Sequence, residues 1–148
     1  MTQEHKQLLL KDLCARLPYG VIVDPVDCGK AILIGIKDGG LLLFDTIHNE
    51  EYDKPWDIEY CKPYLRPMSS MTEEEIEELK SFYDAENVTN ESICFLEGGT
   101  LEEYEAEIPF IFCYNIVVWL LEHHFDYRGL IPLGLAIEVT EDNNPYKR

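Results

Sequence analysis

Leucines along the first twenty residues recur with the spacing of a helix. One face of that helix would hold Leu9, Leu10, Leu13 and Leu17. Thr2 lies before this run and is a residue type that caps helices, and "PYG" at residues 18–20 would stop the helix. The pattern therefore predicts an N-terminal helix that begins after Thr2 and ends near Pro18.

Three short runs rich in Val, Ile and Leu follow this helix. Their sequences are "GVIVDPV", "GKAILIGI" and "LLLFDTI", and they are separated by "DCGK" and "KDGG". Glycine in such short connections accepts the positive φ that tight hairpin turns require. The runs predict a three-stranded antiparallel meander. Pro25 has no N–H, so it should end the first strand or place that strand at an edge.

The segment over residues 48–70 combines three prolines with four large aromatic residues. The aromatic residues are Tyr52, Trp56, Tyr60 and Tyr64. Backbone before a proline is extended or turning. We therefore expect a loop that wraps over the core and buries its rings.

The segment "MTEEEIEELKSFY" has the local signals of a helix start. Thr72 and Glu75 have the spacing of a capping box, and Met71 with Ile76 can form the hydrophobic staple. The glutamates of the first turn suit the positive end of the helix dipole. We predict a short helix with Thr72 as its N-cap, on which the glutamates are explained by helix initiation and solvation.

A second, more apolar helix is predicted from Pro109 to about Phe125. Its sequence, "PFIFCYNIVVWLLEHHFD", is apolar on nearly every side before Glu122, which is typical of a buried helix. The β-branched residues of its first half leave a strand open as the alternative there. Residues 84–107 show little periodicity of hydrophobic residues, and we interpret them as a variable, acidic insertion.

These elements predict a single domain over residues 1–148 of the α+β class. The expected order is an N-terminal helix, a three-stranded antiparallel meander and then two helices, of which the last, long one is buried. The chain length is typical of one domain, and the hydrophobic content of 46% is sufficient for a core.

The charge changes what functions are expected. The chain has 29 acidic and 12 basic residues, for a net charge of −17. Ordinary nucleic-acid binding and docking on anionic lipid both need lysine and arginine, so this charge argues against them. It is compatible with a simply soluble acidic protein, or with an acidic face that meets a basic partner and imitates DNA phosphates.

Other sequence features argue against export and cofactors. No secretory signal is present, and the most apolar run, residues 108–121, is too short to span a membrane, so we expect a cytoplasmic protein. The five cysteines are odd in number and none are spaced as C-x-x-C. We predict no disulfide framework, no metal and no other cofactor.

The candidate site residues lie in two stretches. In "HHFDYRG", neighbouring His123 and His124 diverge on a helix, while Asp126 and Arg128 precede Gly129, a helix-stop residue. These residues are interpreted as the end of a helix or as a partner site; catalysis by His124 and Asp126 is the third alternative.

The second stretch is "KPYLRP", in which Tyr64 and Arg66 stand between two prolines. They either contact a partner or pack the aromatic loop. A further polar group, Asp45 with His48 and Glu50, is interpreted as a solvated strand exit.

The stretches "IEYCKPYLRPMSSMTEEE" and "HHFDYRGLIPLGLAIE" resemble a family of short uncharacterised proteins from prophages and mobile elements of gut bacteria. The resemblance covers residues 58–75 and 119–138, with a looser likeness around "VDCG". Residues 81–118 do not share it. The family has no assigned activity, so the resemblance implies none.

The sequence therefore favours a non-enzymatic acidic protein-interaction module, encoded by a phage or mobile element. Its expected surface is the joint between the "KPYLRP" loop and the "HHFDYRGLI" helix end. The alternatives are a DNA-mimicking inhibitor of a host nucleic-acid enzyme and, less favoured, a small hydrolase. We expect an unidentified protein partner, no direct contact with nucleic acid and no membrane contact; a homodimer is left open.

Overall fold

The computed structural model describes residues 1–26, 28–81 and 110–147, with side chains from residue 115 onward in the last range. The chain divides into two compact units. The first, here the sheet unit, comprises Met1–Leu65 and Leu130–Arg148. The second, here the helical unit, comprises Arg66–Gly129.

The sheet unit has one long helix and a six-stranded mixed sheet. The helix is α1 (Gln3–Arg16), and the strands are β1 (Ile22–Pro25), β2 (Ala31–Lys37), β3 (Gly40–Asp45), β4 (Glu50–Glu51), β5 (Cys61–Leu65) and β6 (Ile137–Glu138). The strand order is β4-β3-β2-β1-β5-β6. All neighbours pair antiparallel except β5 and β6, which are parallel.

Helix α1 begins where its sequence predicts. The side chain of Thr2 accepts a hydrogen bond from the His5 amide at 3.1 Å, which satisfies one of the free N–H groups of the first turn. Asp12 and Arg16 on the same helix are fully buried and ion-paired, with Arg16 Nε 2.6 Å from Asp12 Oδ2. Burial of both charges is tolerated because they neutralise each other.

The core of the sheet unit lies between α1 and one face of the sheet. Alternate residues of β1, of β3 and of the first half of β2 point to this face, as the two-residue period of a strand requires. The buried cluster contains Leu9, Leu13, Val21, Val23, Ala31, Leu33, Leu41, Leu43, Ile58, Cys61, Leu65, Leu130, Leu135 and Ala136.

The predicted turn between β2 and β3 has the expected geometry. Asp38 and Gly39 both have positive φ, 53° and 78°, as a two-residue hairpin turn of this hand requires. The two strands pair from Lys37 opposite Gly40 to Ala31 opposite Asp45, with a bulge between Leu33 and Gly35. Ile34 has no partner in β3 at the bulge, and the alternation shifts after it, so that Ile36 lies opposite buried Leu41 and packs against the core.

Strand β5 lies inside the sheet although it contains Pro63. The amide of Val26 donates to the Tyr60 carbonyl at 2.9 Å, so alternate residues from Tyr60 onward face β1 for hydrogen bonding. Pro63 falls between these positions, and its missing N–H removes no bond to β1.

The ladder between β1 and β5 is completed by a side chain from the C-terminal segment. The Tyr146 hydroxyl accepts from the Ile22 amide at 3.0 Å and donates to the Tyr64 carbonyl at 2.8 Å. Burial raises the pKa of Tyr146, which keeps this hydroxyl protonated and able to donate. The hydroxyl therefore stands in for a strand-to-strand hydrogen bond.

Both edges of the sheet are protected from further strand pairing. The β4 edge consists of two exposed glutamates, Glu50 and Glu51. At the β6 edge, the Asn143 side chain donates to the Glu138 carbonyl at 2.9 Å and accepts from the Thr140 amide at 2.6 Å. Charged edge residues and a capped edge carbonyl both disfavour addition of another strand.

The helical unit contains a 3-10 turn at Met68–Ser70, helix α2 (Glu73–Lys80) and helix α3 (Phe110–Glu122). The predicted capping box of α2 is confirmed, since Thr72 Oγ1 accepts from the Glu75 amide and Glu75 accepts from the Thr72 amide. Among the described side chains of α3, Ile116, Trp119, Leu120 and Leu121 are buried. Asn115 and Glu122 are exposed.

The predicted architecture, a three-stranded meander followed by two helices with a long buried last helix, is wrong. The sheet has six strands and is mixed, and the last element of the chain is strand β6. The predicted helix from Pro109 to Phe125 ends three residues early, at Glu122, and α1 with the sheet, rather than this helix, builds the core of the larger unit. The error arose because β5 contains a proline and β4 has only two residues, so neither shows a strand-like hydrophobic run; β6, in contrast, lies within residues 135–139, where the sequence also allows a last strand.

The described helices include no segment with both the length and the apolarity of a membrane span. The acidic excursion predicted for residues 84–107 lies outside the described residues.

Candidate functional site

The backbone of Arg66 joins the two stretches that the sequence singles out. Its amide donates to the His124 carbonyl at 2.8 Å, and its carbonyl accepts from the Asp126 amide at 2.8 Å. These bonds form an isolated parallel bridge between Arg66 and Phe125. We call Arg66, Glu75, His124, Phe125 and Asp126 the Arg66 joint; all five belong to the helical unit.

The side chain of Arg66 fixes helix α2 to this joint. Its guanidinium donates two hydrogen bonds to Glu75, with Nη1–Oε2 2.8 Å and Nη2–Oε1 2.7 Å. Burial raises the pKa of Glu75, but hydrogen bonds from Arg66 and Thr72 outweigh that effect and lower the pKa overall. Glu75 is thus held ionised by the same contacts that start α2.

The opposite side of the joint is a chain of ring contacts. The Arg66 guanidinium lies 4.1 Å from the centre of the Phe125 ring. Phe125 stacks on Trp119 at 5.7 Å between centroids, and Trp119 stacks on His123 at 3.9 Å. The His123 ring also contacts the Trp119 carbonyl, with Nδ1 at 2.8 Å. His123 therefore packs within the unit, and it is half-buried.

Helix α3 ends in a Schellman motif. The Phe125 amide donates to the Leu120 carbonyl at 2.9 Å, and the His124 amide donates to the Leu121 carbonyl at 3.1 Å. His124 occupies the left-handed position of this motif, with φ 62°. Glycine is the usual residue there, and the expectation that Gly129 would provide the left-handed stop of this helix is wrong.

Asp126 and Arg128 follow the helix end. Asp126 is buried, and its amide donates one of the two backbone hydrogen bonds that join Arg66 to the end of α3. Arg128 is half-buried, with its guanidinium 5.0 Å from the centre of the Tyr127 ring. Asp126 and Arg128 therefore both belong to the turn that follows α3.

Tyr64 is the one predicted site residue that lies in the sheet unit. It is only 8% exposed, and its carbonyl accepts the Tyr146 hydrogen bond. Burial raises the pKa of its phenol. Lys30 Nζ lies 5.6 Å from the centre of its ring. The Tyr64 side chain therefore packs in the sheet unit, and it offers little surface to a partner.

Helix α2 presents an acidic face to solvent. Its exposed glutamates are Glu73, Glu74, Glu77 and Glu78. At 100° per residue these four positions span about 140° of the helix circumference. The opposite side holds buried Leu79 and the paired Glu75. Lys80 reaches Glu77 only at 3.5 Å, and an exposed pair at that distance neutralises little charge.

The turn after β3 contains a tight carboxylate–imidazole pair. Asp45 Oδ2 lies 2.6 Å from His48 Nδ1, and Asp45 Oδ1 accepts from the amides of Ile47 and His48. The hydrogen bond and charge of Asp45 raise the pKa of His48. A carboxylate that orients an imidazole is one component of a general base. The two amide bonds, however, show that Asp45 also closes the turn itself.

Neither region, as far as the structure describes it, groups the side chains that a metal ion needs. Among residues 1–26, 28–81 and 110–147, no group of three or more His, Cys, Asp or Glu is arranged to hold a metal ion. Burial raises the pKa of the Cys61 thiol to about 12, so this cysteine stays protonated and unreactive. The Arg66 joint holds helix α2 in a fixed orientation, and the part of α2 that this leaves exposed is its acidic face.

Sequence reasoning did not find the ion-pair partner of Arg66 or the stack on Trp119. From the sequence, the capping box alone explains Glu75, and Phe125 is expected to be the last residue of a helix. No local signal connects Arg66 to either residue. The Arg–Pro dipeptide "RP" indicates only that the backbone of Arg66 is extended, which is the conformation that the bridge to Phe125 uses.

Comparisons of the chain with protein-family models, curated proteins and solved structures found no match.

Proposed function

We propose that this protein is a non-enzymatic interaction module that binds a basic protein partner through the acidic face of α2. The face consists of Glu73, Glu74, Glu77 and Glu78, all exposed. The partner would supply lysine and arginine side chains, in keeping with the chain's net charge of −17.

The observation that supports this proposal most directly is the position of Glu77 and Glu78. Both lie in the last turn of α2, where the helix dipole disfavours negative charge. Each also stands four residues after another exposed glutamate, and a like-charge pair at that spacing costs about 0.2–0.5 kcal/mol. Helix stability therefore explains the glutamates of the first turn but not these two.

The Arg66 joint explains how α2, a short helix whose glutamates repel one another, can keep a fixed orientation. An isolated helix of eight residues is not stable in water. The capping box and the two hydrogen bonds from Arg66 to Glu75 both hold its first turn. A pre-ordered face loses less entropy on binding than a mobile one.

The experiment compares capture of partners from a cell lysate by three forms of the full chain. They are the unchanged protein, the double variant Glu77→Lys with Glu78→Lys, and the control Glu141→Lys with Asp142→Lys. The two variants change the net charge equally, and Glu141 and Asp142 are adjacent and exposed in the sheet unit. The α2 variant removes unfavourable charges from the helix end, so it should fold at least as well as the unchanged chain.

Proteins captured by the unchanged chain and by the control, but lost with the α2 variant, would support the proposal. Equal capture by all three forms would contradict it. Competition with duplex DNA then characterises the partner, because a partner that DNA displaces uses its own nucleic-acid site to bind α2.

A further inference from the structure

A second exposed feature lies in the sheet unit and is apolar. Three of its large hydrophobic side chains are more than half exposed: Val26 at 52%, Ile47 at 69% and Tyr60 at 54%. Val26 follows β1, Ile47 follows β3, and Tyr60 ends the 3-10 turn that precedes β5. Since β1 is antiparallel to β2 and β5, and β3 to β2 and β4, all three positions fall at the same end of the sheet.

Contacts at this end of the sheet link the turns that carry these positions, and we call Val26, Ile47 and Tyr60 the apolar row. The Val26 amide donates to the Tyr60 carbonyl at 2.9 Å. A Cβ placed on Gly29 would lie 3.4 Å from Ile47 Cδ1. The Thr46 hydroxyl donates to the Lys30 carbonyl at 3.1 Å, which ties the turn after β3 to the turn after β1. With strands about 4.8 Å apart, the row extends about 15 Å across the sheet end.

Folding does not account for the exposure of this row. A single exposed apolar residue on a surface is ordinary, but turns are positions where polar residues cost nothing. Three neighbouring turns that each present a large apolar side chain form a patch of the kind that contacts a partner. Tyrosine and branched aliphatic residues together also suit the apolar centre of an interface.

The charges around the row favour a cationic occupant. Asp24, Glu50 and Glu51 lie at this end of the sheet, and none of them is in an ion pair with another described residue. Two lysines, Lys30 and Lys62, are the described basic side chains here that are likewise outside any ion pair. Carboxylates therefore outnumber lysines locally, and the net charge of −17 opposes the approach of a second copy.

We infer that the apolar row is a docking site for an extended, cationic and apolar segment of a partner protein. About five extended residues span about 15 Å. Alternate aliphatic or aromatic side chains would cover Val26, Ile47 and Tyr60, and the lysines or arginines between them would face Asp24, Glu50 and Glu51. This surface is distinct from the acidic face of α2 and does not rest on the function proposed for that face.

The test uses a dye-labelled synthetic peptide with the core Lys-Leu-Lys-Leu-Lys, whose binding to the full chain is measured by fluorescence anisotropy. Two matched peptides replace either both leucines by serine or all three lysines by glutamate. We expect each replacement to weaken binding at least about tenfold, because the row needs both apolar contact and positive charge.

On the protein side, the double variant Ile47→Ser with Tyr60→Ser should weaken peptide binding at least about tenfold. The matched control is Ile34→Ser, which changes an apolar side chain of similar type, 42% exposed, in the middle of β2. Thermal unfolding checks that both variants fold, and exposed positions such as these should change stability little.

The inference is overturned if the row variant and the Ile34→Ser control bind the peptide equally. It is also overturned if Glu77→Lys with Glu78→Lys abolishes binding while the row variant does not, because the peptide then binds α2. Sedimentation of the chain without peptide tests the other occupant. A dimer that Ile47→Ser with Tyr60→Ser dissociates would show that a second copy covers the row and would likewise overturn the inference.

Discussion

Arg66 and Glu75 form a two-bond ion pair, and Glu75 closes the capping box of α2 at the same time. Glu75 Oε1 accepts from Arg66 Nη2 at 2.7 Å and from the Thr72 amide at 3.1 Å. One carboxylate therefore satisfies the start of a helix and fixes that helix to an extended segment that precedes it. Both side chains are less than a quarter exposed, so solvent screens the pair less than it screens a surface salt bridge.

Replacement of Arg66 should destabilise the helical unit. Arg66→Ala should lower the free energy of unfolding by about 1–3 kcal/mol, because Glu75 loses two charge-assisted hydrogen bonds. Arg66→Lys should recover only part of this, since a lysine cannot reproduce the two-bond geometry. Lys80→Ala, which removes only the exposed contact with Glu77, is the control and should cost less than about 0.5 kcal/mol.

Urea unfolding followed at Trp119 measures this effect in the helical unit. The chain has two tryptophans, and Trp56→Phe removes the signal of the sheet unit. Equal stability of Arg66→Ala and the Lys80→Ala control would show that the pair contributes nothing.

The features predicted correctly from the sequence are those with local causes. Thr2 and Thr72 cap their helices through contacts three residues away, and the Asp38–Gly39 turn follows from the conformations that glycine and aspartate tolerate. Strand β5 and the Arg66 joint depend on partners distant in the chain. Strand β5 contains Pro63, so its sequence does not differ from that of a loop. The same is true of Arg66, whose backbone forms a bridge with Phe125.

The end of α3 offers a test of backbone conformation at a single residue. His124 has φ 62°, a region that costs about 1–2 kcal/mol for residues with a Cβ. His124→Gly should therefore be more stable than His124→Ala by about 1 kcal/mol; both variants lack the imidazole, so its contacts cancel in the comparison. At His123 the order should reverse, because glycine only adds flexibility there. The same order at both positions would contradict the Schellman assignment.

The Tyr146 hydroxyl should stabilise the fold about as much as a hydrogen bond between two strands does. Tyr146→Phe keeps the ring but leaves the Ile22 amide and the Tyr64 carbonyl without this partner. We expect a loss of about 1–3 kcal/mol in the free energy of unfolding. Hydrogen exchange at the Ile22 amide should also accelerate. Tyr60→Phe, at an exposed position, is the matched control and should stay within about 0.5 kcal/mol of the unchanged protein.

The Asp45–His48 pair predicts a defined dependence of stability on pH. The hydrogen bond and charge of Asp45, with a smaller effect of Glu50, raise the pKa of His48 above its ordinary value of 6.5. The hydrogen bond from His48 lowers the pKa of Asp45 below its ordinary 3.8. The histidine contribution is therefore complete below pH 6.5 and is lost as pH rises through the folded pKa. The aspartate contribution is present above pH 3.8 and is lost as pH falls through its folded pKa.

The pair should consequently stabilise the fold most between about pH 4 and 6.5. The difference in unfolding free energy between the unchanged protein and His48→Gln should be larger at pH 6 than at pH 8.5. Other titrating groups cancel in that difference. An NMR titration of the His48 ring should place its midpoint above 6.5, since the folded pKa is raised. A midpoint at or below 6.5, with a difference that does not change between the two pH values, would show that Asp45 serves the turn alone.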